Sequence, residues 1–595
     1  MSLILTVAIV ATMPAVTADT LDSVTVVASR RPQAVASVLA DVTVIEREQI
    51  DISQAPDLLE LLRRLPGVDF ARTGGSGQQT SAFLRGSNFN HVLFLVDGVR
   101  VASANTGAAA FEHLPIDQIE RIEIVRGPRA SYYGSDAIGG VIAITTRERV
   151  GGAALLRIGS QGRGAALAAY GVSGDRGALS VQVGGENYDG FSSQTPDGFS
   201  YDPDDDGYKN RNLGLRARLT LGSQRLSFSG LATDSDSEFD QGESHADQYA
   251  IGATLEGPIS DPWSHRLSVG SARDDLDTPA FFARFLTRRQ QLDWVNDVEF
   301  ASAQHVVFGV NLQRERGENL DTFAAPATRV FRESLQHQAV FAAWQGANGN
   351  FDHELVVRYD DHESFGGEVT AQAALGWRFD GGRVFASWGE GLRAPNLNEL
   401  YSPGFSGLFG GNPDLDPEHS RSAELGVDWR MGEFDLGANV YRTRIRDLVV
   451  FEGGQTFQAI NIARAAIDGV ELTLDRNVGA WSFGTSATWQ HPRNEDTDAE
   501  LLRRPEHKAA VDLGYRFETG IHVGGDVAYV SERADFGADL GSYSVVGLHA
   551  DWPFAEGWTL GARLSNIGDR DYQWAAGFAA PGAEAIVTLS WQQQP

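Results

Sequence analysis

The 595 residues include no cysteine, and lysine occurs only at Lys209 and Lys508. Without cysteine, stability rests on architecture instead of disulfides, which an envelope protein of sufficient size can do. Arginine carries almost all the positive charge, and a GC-rich genome accounts for that bias. Acidic residues nevertheless dominate, and the net charge of −30 at pH 7 excludes nucleic acid as a partner, because phosphates would be repelled. Beyond residue 18 no long apolar run occurs. The mean hydropathy of −0.23 therefore excludes a bundle of many membrane helices. It does not exclude a membrane β-barrel, whose strands alternate apolar and polar residues and average out. There is no Walker-type lysine in a glycine-rich loop, no GxSxG and no HExxH. Catalysis has no constellation to rest on, and the chain is read as not an enzyme.

The first 18 residues, MSLILTVAIVATMPAVTA, have an apolar core and end in Val16-x-Ala18. This is read as an export signal that leaves Asp19 as the mature start, although no basic residue precedes the apolar run. As a membrane anchor it is too short. Residues 19–147 then mix helix and strand signals. SQAPDLLELLRRLPGV (53–68) predicts a short amphipathic helix, with Pro56 in its first turn and Pro66-Gly67 as its stop. Segments 91–99, 121–127 and 139–147 predict strands. After about residue 150 helical periodicity disappears and period-2 segments recur, as at 178–183, 225–231, 266–272 and 526–530. Some 445 residues of strand and turn exceed any ordinary sandwich. At about 20 residues per strand with its connection they predict roughly 22 strands, the range of plugged outer-membrane barrels. Tight turns such as 173–178 alternate with long polar connections at 187–212, 234–247 and 402–420, as two unlike rims require.

QIERIEIVRGPRASYYGSDAIGGVIAITTR (118–147) resembles the plug signature of TonB-dependent outer-membrane receptors. LLRRLPGVDF (61–70), FLRGSNFNHVLFLVDGVRV (83–101), GLRAPNLNELYSPG (391–404), GNPDLDPEHSRSAELG (411–426), NIARAAIDGVEL (461–472) and LSNIGDRDYQ (564–573) agree with it. Within the family the likeness is to its cobalamin-transporting members. The resemblance implies a 22-stranded antiparallel transmembrane β-barrel with an N-terminal α+β plug inside it. The domains are then a signal peptide (1–18), a periplasmic segment with the TonB box (19–30), the plug (31–147) and the barrel (148–595). It also implies energised import of a scarce large solute across the outer membrane of a Gram-negative bacterium. Cobalamin or another corrinoid is the expected solute and a ferric siderophore the rival; a passive porin or surface adhesin would lack the N-terminal domain. The partners are the periplasmic C-terminal domain of TonB, the ligand and outer-membrane lipid, with the chain a monomer.

Three sets of residues follow from the resemblance. Asp22, Ser23, Val24, Thr25, Val26, Val27 and Ala28 are matched to the TonB box, which adds as a strand to a sheet edge of TonB; a strand of the plug's own sheet is the alternative. Asp189, Asp204, Asp206, Asp234 and Asp240, with Asp202 and Asp236 as alternates, are matched to a structural calcium site between two extracellular loops. DPDDDG (202–207) begins like an EF-hand, but Leu213 stands where that loop needs a glutamate. A solvated acidic loop is the alternative, and crowded carboxylates repel unless a cation neutralises them. The plug loops 73–82 and 103–111 are matched to the ligand-facing apices, with Gln78, Gln79, Ser81, Asn105 and Thr106 offering hydrogen bonds. The last strand candidate ends at Trp591, with a short tail beyond it.

Overall fold

The computed structural model describes Val24–Thr25, residues 30–404 and residues 407–593. The predicted signal peptide and Asp22, Ser23, Val26, Val27 and Ala28 of the predicted TonB box lie outside the described residues.

The leucine-rich segment forms the helix Leu58–Leu62, in which Leu58, Leu59, Leu61 and Leu62 are all buried. Pro56 is not in its first turn. Asp57 caps the helix by accepting the Glu60 backbone N–H at 2.9 Å, so the proline stands just outside. The four leucines join Val68, Leu84, Phe94, Phe111, Ile122 and Ile142 in one core, where Phe94 and Phe111 stack at 5.0 Å. Each such leucine contributes about 1.5–3 kcal/mol by leaving water.

A five-stranded sheet backs this core. Its order is Val42–Glu46, Ile119–Arg126, Gly140–Thr146, Val92–Val96 and Val99–Arg100. Only the pair Val92–Val96 with Gly140–Thr146 is parallel. The three predicted strands are among them, and a hairpin of Val68–Arg72 with Thr80–Leu84 completes the plug.

Barrel strands begin at Gly151, with four residues between it and Thr146, where the last plug strand ends. The barrel is antiparallel, closed and 22-stranded. Closure is made by Gly151–Gly159 against Glu584–Gln592, with Ala154 opposite Trp591. The residues past Trp591 continue that seam: Gln593 N donates to Gly152 O at 2.8 Å. Connections on one rim are short, two residues at 175–176, 222–223, 349–350 and 432–433 and five at 517–521, while the other rim carries 189–207, 394–417 and 566–583. The unlike rims read from the sequence are present, and they set the periplasmic and extracellular ends. The long connection expected at 234–247 is not there: Gln224–Phe239 and Gly242–Ser260 pair to their ends and leave only 240–241 as a turn, because the alternating acidic residues continue the strand.

Alternation explains what each strand does. In Gly177–Tyr188, Ser180 and Gln182 are buried against the plug while Leu179, Val181 and Val183 are exposed. The exposed large hydrophobics of the barrel, among them Trp294, Leu355, Trp377 and Trp489, form the lipid-facing surface. A polar lumen and an apolar exterior invert the usual globular order.

Candidate ligand and coupling sites

The plug apices meet the barrel at its extracellular half. In the first apex, Gly77 has φ +77° and lies so close to Tyr208 that a Cβ would fall within 2.0 Å of the ring, so only glycine serves there. The Gln78 amide donates to the Glu238 carbonyl, and Ser237 Oγ donates to the Gly77 carbonyl at 2.9 Å. In the second apex, Asn105 is fully buried and donates to Leu286 O and Thr287 Oγ1, both at 3.4 Å.

Across from it, loop 394–417 carries a short helix, Leu397–Tyr401, started by a capping box between Asn396 and Glu399. Leu397 N and Asn398 N donate to the carbonyls of Ala104 and Asn105 at 2.9 and 3.0 Å. The plug apex and this outer loop are thus sewn together through main-chain bonds.

These contacts correct part of the expected ligand set. Gln78 and Asn105 do not face an incoming solute; both are buried and have turned their donors to the barrel wall. A loop of small residues reads the same in sequence whether it borders solvent or protein. Gln79 is exposed, and Ser81 and Thr106 are half-buried. The Thr106 carbonyl accepts from Asn396 Nδ2 at 3.2 Å.

The loops also hold groups the sequence reading missed. Phe199, Phe281, Phe282, Phe323, Phe409, Phe457 and Phe536 lie on extracellular connections or at strand ends beside them, each between 44% and 75% exposed. Phe282 meets Phe323 edge-on at 5.0 Å, and Phe409 stacks on Phe457 at 5.3 Å. Seven exposed phenylalanines on or beside the extracellular connections present flat apolar faces. The available signal was aromatic residues interrupting polar loops, where no alternating strand needs them.

The acidic loops converge less than expected. Asp206 is buried and hydrogen-bonds Asp240, and its Oδ2 accepts the Ser193 N–H at 2.5 Å. Burial first, and then Asp240, push the Asp206 carboxyl up to about 7. For Asp240 burial is outweighed by the bonds from Asp206 and from the Asp202 N–H, and its carboxyl is held below the usual range. Asp240 also accepts from Ser193 Oγ at 2.9 Å and from Gln194 N at 3.2 Å, which ties loop 189–207 to the end of Gln224–Phe239.

Asp189 accepts from Asn187 at 3.1 Å and Asp204 is exposed. Asp234 is corrected as a partner of the pair. It lies on the outward phase of its strand, 67% exposed, 3.7 Å from Arg211. Asp236 shares that phase and bonds His245 at 2.5 Å. Successive strand residues point to opposite faces, so neighbours in sequence need not share a site. Among the described residues no group of three His, Asp or Glu side chains is arranged to hold a metal ion. The pair Asp206–Asp240 is what the arrangement offers a cation.

Comparison with known proteins agrees with this architecture. Residues 34–141 match the family described as TonB-dependent Receptor Plug Domain, and residues 156–567 match TonB dependent receptor-like, beta-barrel. The chain belongs to the TonB-dependent receptors. The vitamin B12 transporter BtuB of Vibrio vulnificus is 31% identical over 589 residues, covering 94% of this chain and 92% of that protein. Its counterpart in Photobacterium profundum is 29% identical over 576 residues, covering 93% and 92%. Among solved structures, the FrpB iron transporter of Neisseria meningitidis superposes with a TM-score of 0.80 at 13% identity, covering 92% of this chain and 99% of that one; at that identity the likeness concerns the fold. This receptor is an energy-coupled transporter of the Gram-negative outer membrane.

As a receptor of this class, it needs a plug held firmly and a segment that a partner can pull. Buried ion pairs supply the hold. Arg85 of the plug reaches Glu424 and Glu471 of the barrel and Asp41 of the plug at 2.9, 2.7 and 2.9 Å. Arg563 of the barrel reaches Glu60 of the plug at 2.8 Å, and His91 of the plug reaches Glu418 at 2.5 Å. The N-terminal end of the plug is held more lightly. Val24–Thr25 pairs antiparallel with Gln33–Ala34, Val24 opposite Ala34. This is a separate two-stranded sheet and no part of the plug's five-stranded one.

Proposed function

We propose that this receptor imports cobalamin or a related corrinoid, driven by TonB through the segment at 22–28. The observation that carries the ligand is the 31% identity, spread over 94% of the chain, to a protein named as a vitamin B12 transporter. The aromatic mouth supports a large solute with flat apolar faces, bound between the phenylalanines and Gln79, Ser81 and Thr106 at the plug apices. Gln78 and Asn105 position those apices. The test is binding of cyanocobalamin and of ferric enterobactin to purified receptor. Saturable cyanocobalamin binding is expected, weakened about tenfold or more by the double substitution F409S/F457S, since each aromatic contact contributes about 0.5–1.5 kcal/mol. Tight ferric enterobactin binding without corrinoid affinity overturns the ligand and spares the fold.

A calcium ion between the loops belongs to the same reading, with Asp206 and Asp240 as its carboxylates. The support is the proton they share: a cation at that point replaces it. The sign of the pH effect follows. The Asp206 carboxyl titrates near 7, above its ordinary 3.8, so the proton link is complete below about pH 4 and is lost as pH rises through 7. Loop 189–207, compared with loop 566–583, is expected to be cut by proteinase K faster at pH 8 than at pH 5.5. Calcium at pH 8 restores protection, and D206N removes both effects. A pH-independent cleavage ratio sinks the proton link; no calcium effect at pH 8 sinks the cation.

A further inference from the structure

The outer wall of the barrel carries a feature that ligand import does not use. In Trp263–Thr278, Ala283–Ala301 and Gln304–Asp321, three adjacent strands, Arg273 stands opposite Arg288 and Arg288 opposite Arg316. Arg314 lies one rung below, opposite Gln290. The alternating neighbours fix the direction of these side chains. Thr287 and Arg289 are buried in the lumen, where Arg289 Nε donates to the plug carbonyl of Ala102 at 2.9 Å. Arg288 is therefore on the lipid face, and its cross-strand partners share that face.

Like charges directly opposite on a sheet destabilise it. Here the acids of the surroundings go elsewhere. Asp247 and Asp275 pair with Arg273, Asp275 also with Arg284, and Glu318 with Arg329 and Arg332. Among the described residues Arg288 and Arg316 have neither an ion pair nor a hydrogen bond, and Arg314 reaches only Ser334 Oγ, at 3.3 Å. On a chain of net charge −30, two neighbouring arginines without counter-ions mark a place where the negative charge comes from outside.

Height on the wall identifies the source. Toward the periplasm the same lipid-facing columns continue with Val269, Trp294, Leu312, Phe308 and Phe300, each exposed by 37% or more. Toward the outside lie the connections 279–282 and 322–327. The arginine rung stands where the apolar band ends on the extracellular side, the depth of the outer-leaflet headgroups.

We infer that Arg288, Arg314 and Arg316, with Arg273 at their flank, bind the phosphates of the phosphorylated glycolipid of the outer leaflet. Guanidinium forks donate paired N–H bonds to phosphate oxygens, and the acyl chains lie along the apolar columns below. The inference rests on the barrel's place in the outer membrane and not on the imported ligand.

Native mass spectrometry of detergent-released receptor tests it with bisphosphorylated lipid A, its dephosphorylated form, phosphatidylglycerol and inorganic phosphate as separate probes. The wild type is expected to retain bisphosphorylated lipid A, and R288Q/R316Q to lower retention about 10- to 30-fold. R288K/R316K keeps most of it, and R476Q, at the periplasmic rim, changes nothing. Heat-modifiable migration on gels checks that each variant is folded. Equal retention by wild type and R288Q/R316Q overturns the inference, as does retention indifferent to the phosphates. Preference for phosphatidylglycerol or free phosphate over lipid A overturns the glycolipid as occupant.

Discussion

Val26→Pro abolishes energised uptake and leaves extracellular ligand binding within about twofold of wild type. The expectation follows from how little holds this segment and how much must be asked of it. Val24 and Thr25 are paired only with Ala34 and Gln33. A ladder so short contributes a few backbone bonds of about 0.5–1.5 kcal/mol each, and a partner strand can exchange for it cheaply. To transmit force, the same segment has to present a continuous row of donors and acceptors to the edge of TonB's sheet. Proline removes one donor and cannot sit inside such a ladder. The plug core and the barrel lie on the far side of Gln33–Ala34, so their assembly does not depend on residue 26. Val26→Ala, which keeps the donor, transports within a few-fold of wild type. Measured as uptake of radiolabelled ligand against binding at 0 °C, the Pro variant should fall at least about tenfold in the first and not in the second. Normal uptake by V26P removes the segment from energy coupling.

The opening strand shows what sequence can and cannot disclose. Val24 and Thr25 form a strand, as their β-branched side chains suggest, but it is not isolated: it pairs with Gln33–Ala34, a partner that no hairpin signal in the sequence announces. Periodicity was equally informative where the environment is two-faced. Alternation at 178–183 is the alternation of lipid and lumen, and the leucines before Pro66-Gly67 are the core side of Leu58–Leu62. What periodicity leaves open is where a strand stops. Asp234 and Asp240 sit in one acidic run, yet Asp234 faces outward and Asp240 closes on Asp206. Asp234 lies within Gln224–Phe239 and Asp240 just past its end, in the turn, and the end point of the strand decides between them. Short polar loops leave more open still. Asn105 and Gln79 belong to the same residue class in similar glycine-rich apices, one buried against Thr287 and one exposed. Their difference is made by strands some two hundred residues away, which no local pattern encodes.

Arg85→Met should loosen the plug without preventing the barrel from closing. Arg85 is buried, and its guanidinium lies 4.3 Å over the Tyr441 ring while bonding Asp41, Glu424 and Glu471. Among the described carboxylates Arg126 pairs only with Asp41, at 3.2 Å, its other bonds going to Pro66 O and Thr43 Oγ1. Without Arg85, the two barrel glutamates therefore face each other with no cation between them. Removing one partner of such a buried set costs about 3–5 kcal/mol, most of it the penalty of stranded charge. The loss falls on the plug–barrel contact. The barrel's own ladders are untouched, and Arg563–Glu60 and His91–Glu418 still tether the plug. The backbone at residue 85 has φ +49°, a left-handed strain that methionine and arginine bear alike, so the comparison isolates the charge. The expected result is a conductance across planar bilayers that wild type lacks, together with sensitivity of cells to antibiotics too large for general porins. Most of that cost is the stranded charge of the two glutamates, and Asp41 keeps Arg126, so R85M/E424Q/E471Q should recover most of the seal. If the single variant is as tight as wild type, or the triple variant leaks as much as the single, the Arg85 network is not what locks the plug in its barrel.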